Sequence, residues 1–441
     1  MSVKRNSQYI ACGKDMLKFI ESSPSCFHAV ENVKCRLQSE GYTEHFESES
    51  WDIKPGGKYF VTRSQSSIIA FRVPNTDYSG FMIAASHSDS PTFRIMEKPV
   101  KTGDGYTQLG AERYGGMIYS TWLDRPLSVA GRVFTRSEKG IESRLVCIDR
   151  DLVLIPNVAI HMNRDINSGY SYNPAVDLLP LFSAKGSKTE LFDIIAKTLK
   201  INKQDIISSD LFLYNRQKGS IWGAENEFIS APRIDDLQCV YSTLCGFLAA
   251  KDTACIPVLC IFDNEEVGSG TKQGADSTFL YDTLSRINKA SGASDEQYHT
   301  AIANSLMVSA DNAHAVHPNH PEYADKNNRP VMNGGIVIKF NANQRYTTDG
   351  ISAALFGEIC RRADVPTQVY TNRADLPGGS TLGNISSSHI SVNCVDIGLA
   401  QLAMHSSYET AGIMDTHSMI EAMTVFFSSS INQKGSTWTV K

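Results

Sequence analysis

The chain has 441 residues, of which 41% are hydrophobic and 20% are charged. This composition is ordinary for a globular protein and excludes a disordered or fibrous chain. The 42 basic and 47 acidic residues give a net charge of −5, which provides no electrostatic basis for binding nucleic acid or an anionic membrane. Ten scattered cysteines without a CxxC pair, and no apolar run of signal-peptide or membrane-spanning length, predict a cytoplasmic protein.

Two helices and two strands are predicted in the first part of the chain. Apolar positions recur at helical spacing over residues 8–41, and the Ser-Pro-Ser sequence at 23–25 divides this pattern into two helices. The runs SIIAFRV (67–73) and FMIAAS (81–86) are typical of buried strands. The second run ends in HSDSP (87–91), and polar residues directly after a buried strand are where open α/β sheets place their chemistry.

The residue pattern of the sequence changes between about residues 92 and 221, where glycine pairs and short β-like runs dominate. We interpret residues 92–221 as an inserted, mainly β domain that interrupts a catalytic domain made of residues 1–91 and 222–441. Strand runs alternate with helical patterns on both sides of the insertion, which predicts an α/β sandwich for the interrupted domain.

Several strand-like segments end in side chains that can bind a metal ion, and these are His87, Glu265 with Glu266, Asp311, and His405. Asp235 is a further candidate, because it lies just before a predicted helix. Two histidines and three carboxylates suffice for two divalent ions if one carboxylate bridges them. A mixture of imidazole and oxygen ligands suits Zn²⁺, with Mn²⁺ or Co²⁺ as other possibilities.

Each of these residues also has an ordinary structural interpretation. Asp311 is compatible with a helix N-cap, His405 with a hydrogen-bonded core residue, and the acidic run 263–266 with a solvated turn. His87 and Asp89 point the same way on a strand, so Asp89 can orient the His87 ring. The glycine-rich LPGGSTLG lacks both nucleotide-binding patterns, and we expect it to allow close backbone approach to a substrate or metal site.

Taken together, nine segments in order resemble the M18 family of zinc aminopeptidases, the aspartyl aminopeptidases and their bacterial relatives. The resemblance runs from about residue 15 to the C-terminus, and the segments are SHSDSPTFRI, YGGMIYSTWLDRPLSVAGRV, IPNVAIHMNRDIN, APRIDDLQ, DNEEVGSG, SADNAHAVHPNH, IKFNANQRY, DLPGGSTLGNI and QLAMHSSYE. It implies a three-layer α/β/α catalytic domain of the di-zinc peptidase type with an inserted β domain that serves assembly.

The resemblance also implies the roles of individual residues. Two zinc ions per subunit would be bound by five ligands, which are His87, Asp235, Glu266, Asp311 and His405. Asp235 would bridge the two ions, with His87 and Asp311 on one of them and Glu266 and His405 on the other. Glu265 would be the general base, and Asp89 would support the metal ligands.

Substrate and assembly follow from the same resemblance. Members of the family form tetrahedral dodecamers built from dimers, and His161 matches a histidine that reaches a neighbouring subunit's active site. Lys339, with Tyr346 and His314, resembles the family's specificity residues. Because a buried lysine without an acidic partner is costly, Lys339 favours peptides with an acidic N-terminal residue.

Two departures from the family pattern concern side-chain preference. Pro377-Gly378-Gly379 stands where the family often has Pro-Cys-Gly, and Asn328 stands where eukaryotic members often have histidine. The departures leave open an aminopeptidase of broad or Leu-type specificity. Two further alternatives are a di-metal deacylase or carboxypeptidase, and a shell or cargo protein that lost its chemistry. The complete set of candidate ligands argues against the last of these.

Overall fold

The computed structural model describes residues 3–75, 77–376 and 378–441, so Pro377 lies outside the described residues. This part of the chain contains nine α-helices. They are α1 (Val3–Glu21), α2 (Cys26–Ser39), α3 (Leu191–Leu199), α4 (Ile234–Ala249), α5 (Phe279–Ala290), α6 (Asp295–Ala303), α7 (Gly350–Arg362), α8 (Leu382–Ser386) and α9 (Asp415–Phe427).

The strands of the first half of the chain are β1 (Thr43–His45), β2 (Lys58–Arg63), β3 (Ser67–Arg72), β4 (Gly80–His87), β5 (Thr92–Gly103), β6 (Tyr106–Tyr114), β7 (Leu127–Ser137), β8 (Gly140–Cys147), β9 (Leu181–Ala184), β10 (Ile206–Asn215) and β11 (Ser220–Trp222). Those of the second half are β12 (Phe228–Ala231), β13 (Cys255–Phe262), β14 (Leu306–Ala310), β15 (Ala313–His314), β16 (Ile336–Phe340), β17 (Thr367–Thr371), β18 (Asn393–Leu402), β19 (Glu409–Gly412), β20 (Ile431–Lys434) and β21 (Thr437–Val440).

The largest sheet of the described residues has thirteen strands, and its centre is parallel. β4 pairs in parallel with both β13 and β14, and β14 pairs in parallel with β18. Parallel strands buried on both faces are continuously apolar rather than alternating. β4 shows this directly, because Met82 and Ala84 enter the core on one face while Phe81 and Ile83 enter the core on the other.

Helices cover both faces of this sheet. Residues of α1, α2, α4, α7 and α9 form one core against it, and residues of α5, α6 and α8 form a second core on the opposite face. The predicted α/β fold class, a three-layer α/β/α arrangement, is confirmed.

A second sheet of six strands lies between Thr92 and Asn215, in the order β8-β7-β10-β5-β6-β9. It has its own apolar core, to which the helix α3 contributes Leu191 and Ile195. The sequence pattern did not indicate this helix. β11 pairs with β12 of the large sheet, so the chain has returned to the large sheet by Ser220. The division of the chain into two domains stays a prediction.

The predicted break at 23–25 separates α1 from α2, which confirms the two-helix interpretation. Ser25 is the N-cap of α2, and its Oγ lies 2.8 Å from Nδ1 of His28 in the first turn. Burial lowers the pKa of His28 to about 4, with a further contribution from the positive charge of Arg233. None of the described helices is long and apolar enough to cross a membrane.

His28 therefore makes the folded state sensitive to acid. Because its pKa is lower in the folded chain than the ordinary value of about 6.5, the unfolded chain takes up the proton first as the pH falls. The unfolding free energy should fall between about pH 6.5 and 4 by at most about 3 kcal/mol on this account. We expect His28→Gln to flatten the difference in denaturant-measured stability between pH 7.5 and 5, while the exposed control His299→Gln keeps the wild-type difference.

Candidate metal centre

The parallel strands bring four polar segments to one edge of the large sheet. β4 ends at His87, β14 ends one residue before Asp311, and β18 ends three residues before His405. β13 ends at Phe262, and a short 3-10 turn over Glu265–Val267 follows it. Because the carboxyl ends of parallel neighbours meet at the same edge, residues far apart in the sequence lie side by side.

Asp235 enters the same edge from the start of α4. Its backbone is not yet helical, with φ −79° and ψ 110°, and β12 leads directly into this turn. One carboxylate oxygen, Oδ1, lies 3.4 Å from Nε2 of His87, and the other, Oδ2, lies 3.6 Å from Nε2 of His405. A single carboxylate thus faces two imidazoles, which is the arrangement a bridging ligand requires.

Other carboxylates complete two overlapping groups around Asp235. The ligand atoms of the first group, His87 with Asp235, Asp236 and Asp311, all lie within 4.8 Å of one another, as do those of the second, Asp235 with Glu266 and His405. Nε2 of His405 is 3.4 Å from Oε2 of Glu266. Glu265 comes equally close to His87 and Glu266, so its carboxylate also faces this edge.

The chemistry of these side chains fits divalent metal ions. Within the described part of the chain, Asp235 Oδ1, Asp236 Oδ1 and Glu266 Oε1 are buried and have no hydrogen-bond partner. Buried carboxylate oxygens without a partner are costly, and a cation removes that cost. Burial and neighbouring acids raise the pKa of Glu266 well above its ordinary value and that of Glu265 to about 8, which shows how strongly the crowded acids resist ionising together.

Asp89 holds the surroundings of His87 and the acidic turn in place. Its Oδ1 accepts a hydrogen bond from the backbone N–H of Glu265 and its Oδ2 accepts one from Glu266, both at 3.2 Å. Oδ1 also lies 3.4 Å from Nδ1 of His87. The predicted orientation of His87 by Asp89 is compatible with this geometry, whereas the contacts with the acidic turn were not foreseen.

Sequence reasoning missed two further acids, Asp236 and Glu409. Oδ2 of Asp236 accepts a hydrogen bond from the backbone N–H of His87 at 3.1 Å. The Glu409 carboxylate, 2% exposed, accepts one bond from the N–H of Asp235 at 3.0 Å and another from the N–H of His405 at 2.8 Å. Both acids lie inside segments that carry the family resemblance, APRIDDLQ and QLAMHSSYE, and this was the only signal available for them.

Three of the four predicted substrate residues lie on the Asp311 side of the centre. Lys339 is 2% exposed, and its Nζ donates a hydrogen bond to the Asn312 carbonyl at 2.8 Å and lies 3.7 Å from Oδ2 of Asp311. The ring of Tyr346 is 5.5 Å from this Nζ, and both Tyr346 and the exposed His314 pack against the ring of Tyr370.

The fourth predicted substrate residue, His161, lies elsewhere. It occupies an exposed turn in the connection between β8 and β9 of the second sheet. Among the described residues, no recorded contact joins it to the histidines and acids at the edge of the large sheet.

Comparison with known proteins decides the family. The family described as "Aminopeptidase I zinc metalloprotease (M18)" matches residues 19–427 of the chain. The chain belongs to the M18 family. It is therefore a zinc metalloaminopeptidase, and the prediction made from the nine segments is confirmed.

Individual M18 proteins are similar to this chain along nearly their whole length. The "Probable M18 family aminopeptidase 2" of Clostridium novyi is 45% identical over 428 residues, which are 95% of this chain and 99% of that protein. A chain in the "Cryo-EM structure of the Ape4 and Nbr1 complex" is 36% identical with a TM-score of 0.93, covering 97% of this chain and 87% of that one. The "Structure of S. cerevesiae mApe1 dodecamer" is 27% identical with a TM-score of 0.83, covering 94% and 96%.

Glu409 of this M18 enzyme should support metal binding without touching the metal. The Glu409 carboxylate accepts hydrogen bonds from two backbone N–H groups. In Glu409→Gln the side-chain N–H₂ would face one of these groups and could not accept its hydrogen bond. We expect zinc affinity, measured by competition with a chromophoric chelator, to fall about 10- to 100-fold, the usual effect of losing a group that orients a ligand. Glu421→Gln, at an exposed position of α9, is the matched control. Unchanged affinity in folded Glu409→Gln would show that the ligands hold their places unaided.

Proposed function

We propose that this M18 aminopeptidase works with two metal ions that share Asp235. The observation that carries the proposal is the placement of the two oxygens of Asp235 opposite Nε2 of His87 and Nε2 of His405. Asp311 would complete the His87 side and Glu266 the His405 side. The oxygen and imidazole donors suit two Zn²⁺ per subunit, with Mn²⁺ or Co²⁺ as other metals the same donors accept.

The residues around this centre can divide the hydrolysis of an N-terminal peptide bond among them. Bound divalent ions supply Lewis acidity towards the peptide carbonyl and lower the pKa of water. Glu265 belongs to neither of the two groups that share Asp235, so its carboxylate is free to take the proton from water and return it to the leaving amine. Asp89 holds the turn that carries Glu265 through the backbone N–H of that residue. The free N-terminal amine of a peptide would lie among the acids, which favours exopeptidase over endopeptidase action.

Glu265→Gln tests this assignment. The substitution removes a base but no ligand, so kcat should fall by at least about 100-fold while metal content stays at the wild-type value. Both are measured on the same preparation, by a peptide-hydrolysis assay and elemental analysis. Glu296→Gln, at an exposed position of α6, controls for loss of a surface acid. Substantial turnover in Glu265→Gln would exclude Glu265 as the base, and loss of metal would make it a ligand.

We further propose a preference for acidic N-terminal residues, with Lys339 as the source of positive charge. A buried ammonium group beside Tyr346 and near the metal ligands supports this. One observation favours the second candidate, broad or Leu-type specificity. The Lys339 ammonium already has two partners of its own, the Asn312 carbonyl and the Asp311 carboxylate, so its charge is partly engaged before any substrate arrives.

A panel of aminoacyl substrates separates these candidates. If Lys339 recognises the side chain, kcat/KM for Asp and Glu substrates should exceed that for Leu by at least about tenfold, because only a carboxylate side chain can form a charge-assisted hydrogen bond with the ammonium. Lys339→Met should abolish the difference. Metal content, measured in parallel, shows whether the variant has also disturbed Asp311. A flat or Leu-favouring panel in the wild type would establish the second candidate, and an N-acetylated peptide should be spared in either case.

We also propose that the chain forms a homo-oligomer, a tetrahedral dodecamer built from dimers, in which His161 reaches the active site of a neighbouring subunit. The similar mApe1 protein was solved as a dodecamer. In this chain three apolar residues flank His161 and are strongly exposed, namely Val158 (50%), Ile160 (48%) and Met162 (84%). Exposed apolar side chains this close together favour contact with another chain.

We also propose a cytoplasmic location. The free thiols of all ten cysteines are compatible with the reducing conditions of the cytoplasm.

A further inference from the structure

A segment of the second sheet crosses the edge of the large sheet that carries the metal centre. Residues 114–121, which we call the strap, begin at the last residue of β6 and end in a 3-10 turn before β7. The strap belongs in sequence to the second sheet, but several of its hydrogen bonds go to loops of the large sheet. It is therefore the place where the two sheets meet at the active site.

The strap holds His405 from two directions. The ring atom Nδ1 of His405 lies 2.5 Å from the carbonyl oxygen of Gly116. The backbone N–H of Ile118 donates to the carbonyl of His405 at 3.0 Å. An Nδ1–H that donates to a carbonyl fixes the tautomer and leaves Nε2 free to bind a metal. Nε2 is the atom that faces Asp235 and Glu266.

Thr121 holds the chain two residues beyond His405. Its Oγ1 accepts a hydrogen bond from the backbone N–H of Ser407 at 2.9 Å, and its carbonyl accepts one from Oγ of Ser407 at 2.5 Å. Ser407 is 3% exposed, so water cannot easily replace these bonds. The Thr121 side chain thus limits the movement of the loop that carries His405.

The strap also reaches the acidic turn. The hydroxyl of Tyr114 donates to Oδ2 of Asp89 at 2.7 Å and accepts a hydrogen bond from Nδ2 of Asn264 at 2.8 Å. Asp89 in turn accepts a hydrogen bond from the backbone N–H of Glu266. A Cβ built on Gly115, whose φ is +78°, would lie 3.1 Å from Cβ of Glu266, so the strap and the acidic turn are in close contact.

The other side of the centre is held differently. The N–H of His87 is bound by Asp236, and Asp311 lies beside the Lys339 ammonium, all of which belong to the large sheet or its helices. Among the described residues, no recorded hydrogen bond joins the strap to His87 or Asp311. The strap reaches this side only indirectly, through Tyr114 and Asp89, whose Oδ1 lies 3.4 Å from Nδ1 of His87. The His405 side therefore depends on the strap more directly than the His87 side does.

We propose that the strap is a positioning element for the ion on the Glu266 and His405 side, so that retention of this ion depends on docking of the second sheet. Thr121 and Tyr114 are its positioning residues. The inference rests on the proposed two-ion function. It makes the ion on the His87 and Asp311 side the tighter one and the less dependent on the strap. It also couples the second ion to any event that moves the second sheet.

Thr121→Val and Thr121→Ser test the inference on the intact enzyme. Valine removes the hydroxyl that binds Ser407 with little change of shape, whereas serine keeps it. Chelator-treated protein is titrated with Zn²⁺ alone, and the two dissociation constants are read from calorimetry. In Thr121→Val we expect the weaker constant to rise about 10- to 100-fold and the tighter one to stay within twofold. Thr121→Ser should restore the wild-type values.

A second pair of variants provides an independent test in case the Thr121 variants do not fold. Tyr114→Phe should weaken binding of the second ion more than that of the first. Tyr119→Phe should weaken neither, because within the described chain the hydrogen bond of its hydroxyl comes from the exposed Arg113. Wild-type constants in both Thr121→Val and Tyr114→Phe, or equal weakening of both ions, would overturn the inference and leave the two-ion proposal standing. A wild-type enzyme that binds one ion per chain would overturn the two-ion proposal itself, and the strap inference with it.

Discussion

The structure depends on the burial of several carboxylates against two histidines at one edge of a parallel sheet. Asp235 and Asp236 are almost completely buried, and each has an oxygen without a hydrogen-bond partner in the described chain. Like charges removed from water repel one another and lose their hydration, so such a cluster is stable only with cations or with protons. The membership of the chain in a zinc aminopeptidase family agrees with the first of these. The backbone N–H groups bound by Asp89 and Glu409 orient these two acids, and the ammonium of Lys339 balances part of the negative charge of Asp311.

The topology explains how residues as distant as 87 and 405 come together. Parallel pairing of β13, β4, β14 and β18 places the carboxyl ends of four strands at one edge of the sheet. Helices packed on both faces shield these strands from solvent. Both sheets contact the side chains of the candidate metal centre. The large sheet supplies the proposed ligands and holds His87 through Asp236, while residues 114–121 of the second sheet contact His405 and Ser407. An enzyme built in this way links its metal centre to the part of the molecule that we propose for assembly.

Much of this could be predicted from the sequence, because buried parallel strands are continuous apolar runs. FMIAAS, IPVLCIF and SLMVSA were each recognisable, and the polar residues directly after them were the natural candidates for a site. The pattern could not separate Asp235 from Asp236, since neighbouring acids in one turn differ only in which way their oxygens point. Nor could it show that Lys339 pairs with Asp311, because β16 and β14, which carry these two residues to the site, are both positioned by pairing with the distant strand β18. The contacts of Tyr114 and Thr121 join two different sheets, and no local periodicity encodes such a meeting.

The central claim is that Asp235 joins two metal ions, and anomalous diffraction from zinc-loaded crystals tests it most directly. The account predicts two peaks per chain about 3.5–4 Å apart, the separation typical of two-metal centres. One peak should lie within bonding distance of His87 and Asp311, the other within bonding distance of Glu266 and His405, and both should contact Asp235. A single peak, or a second peak bound by other residues, would contradict it.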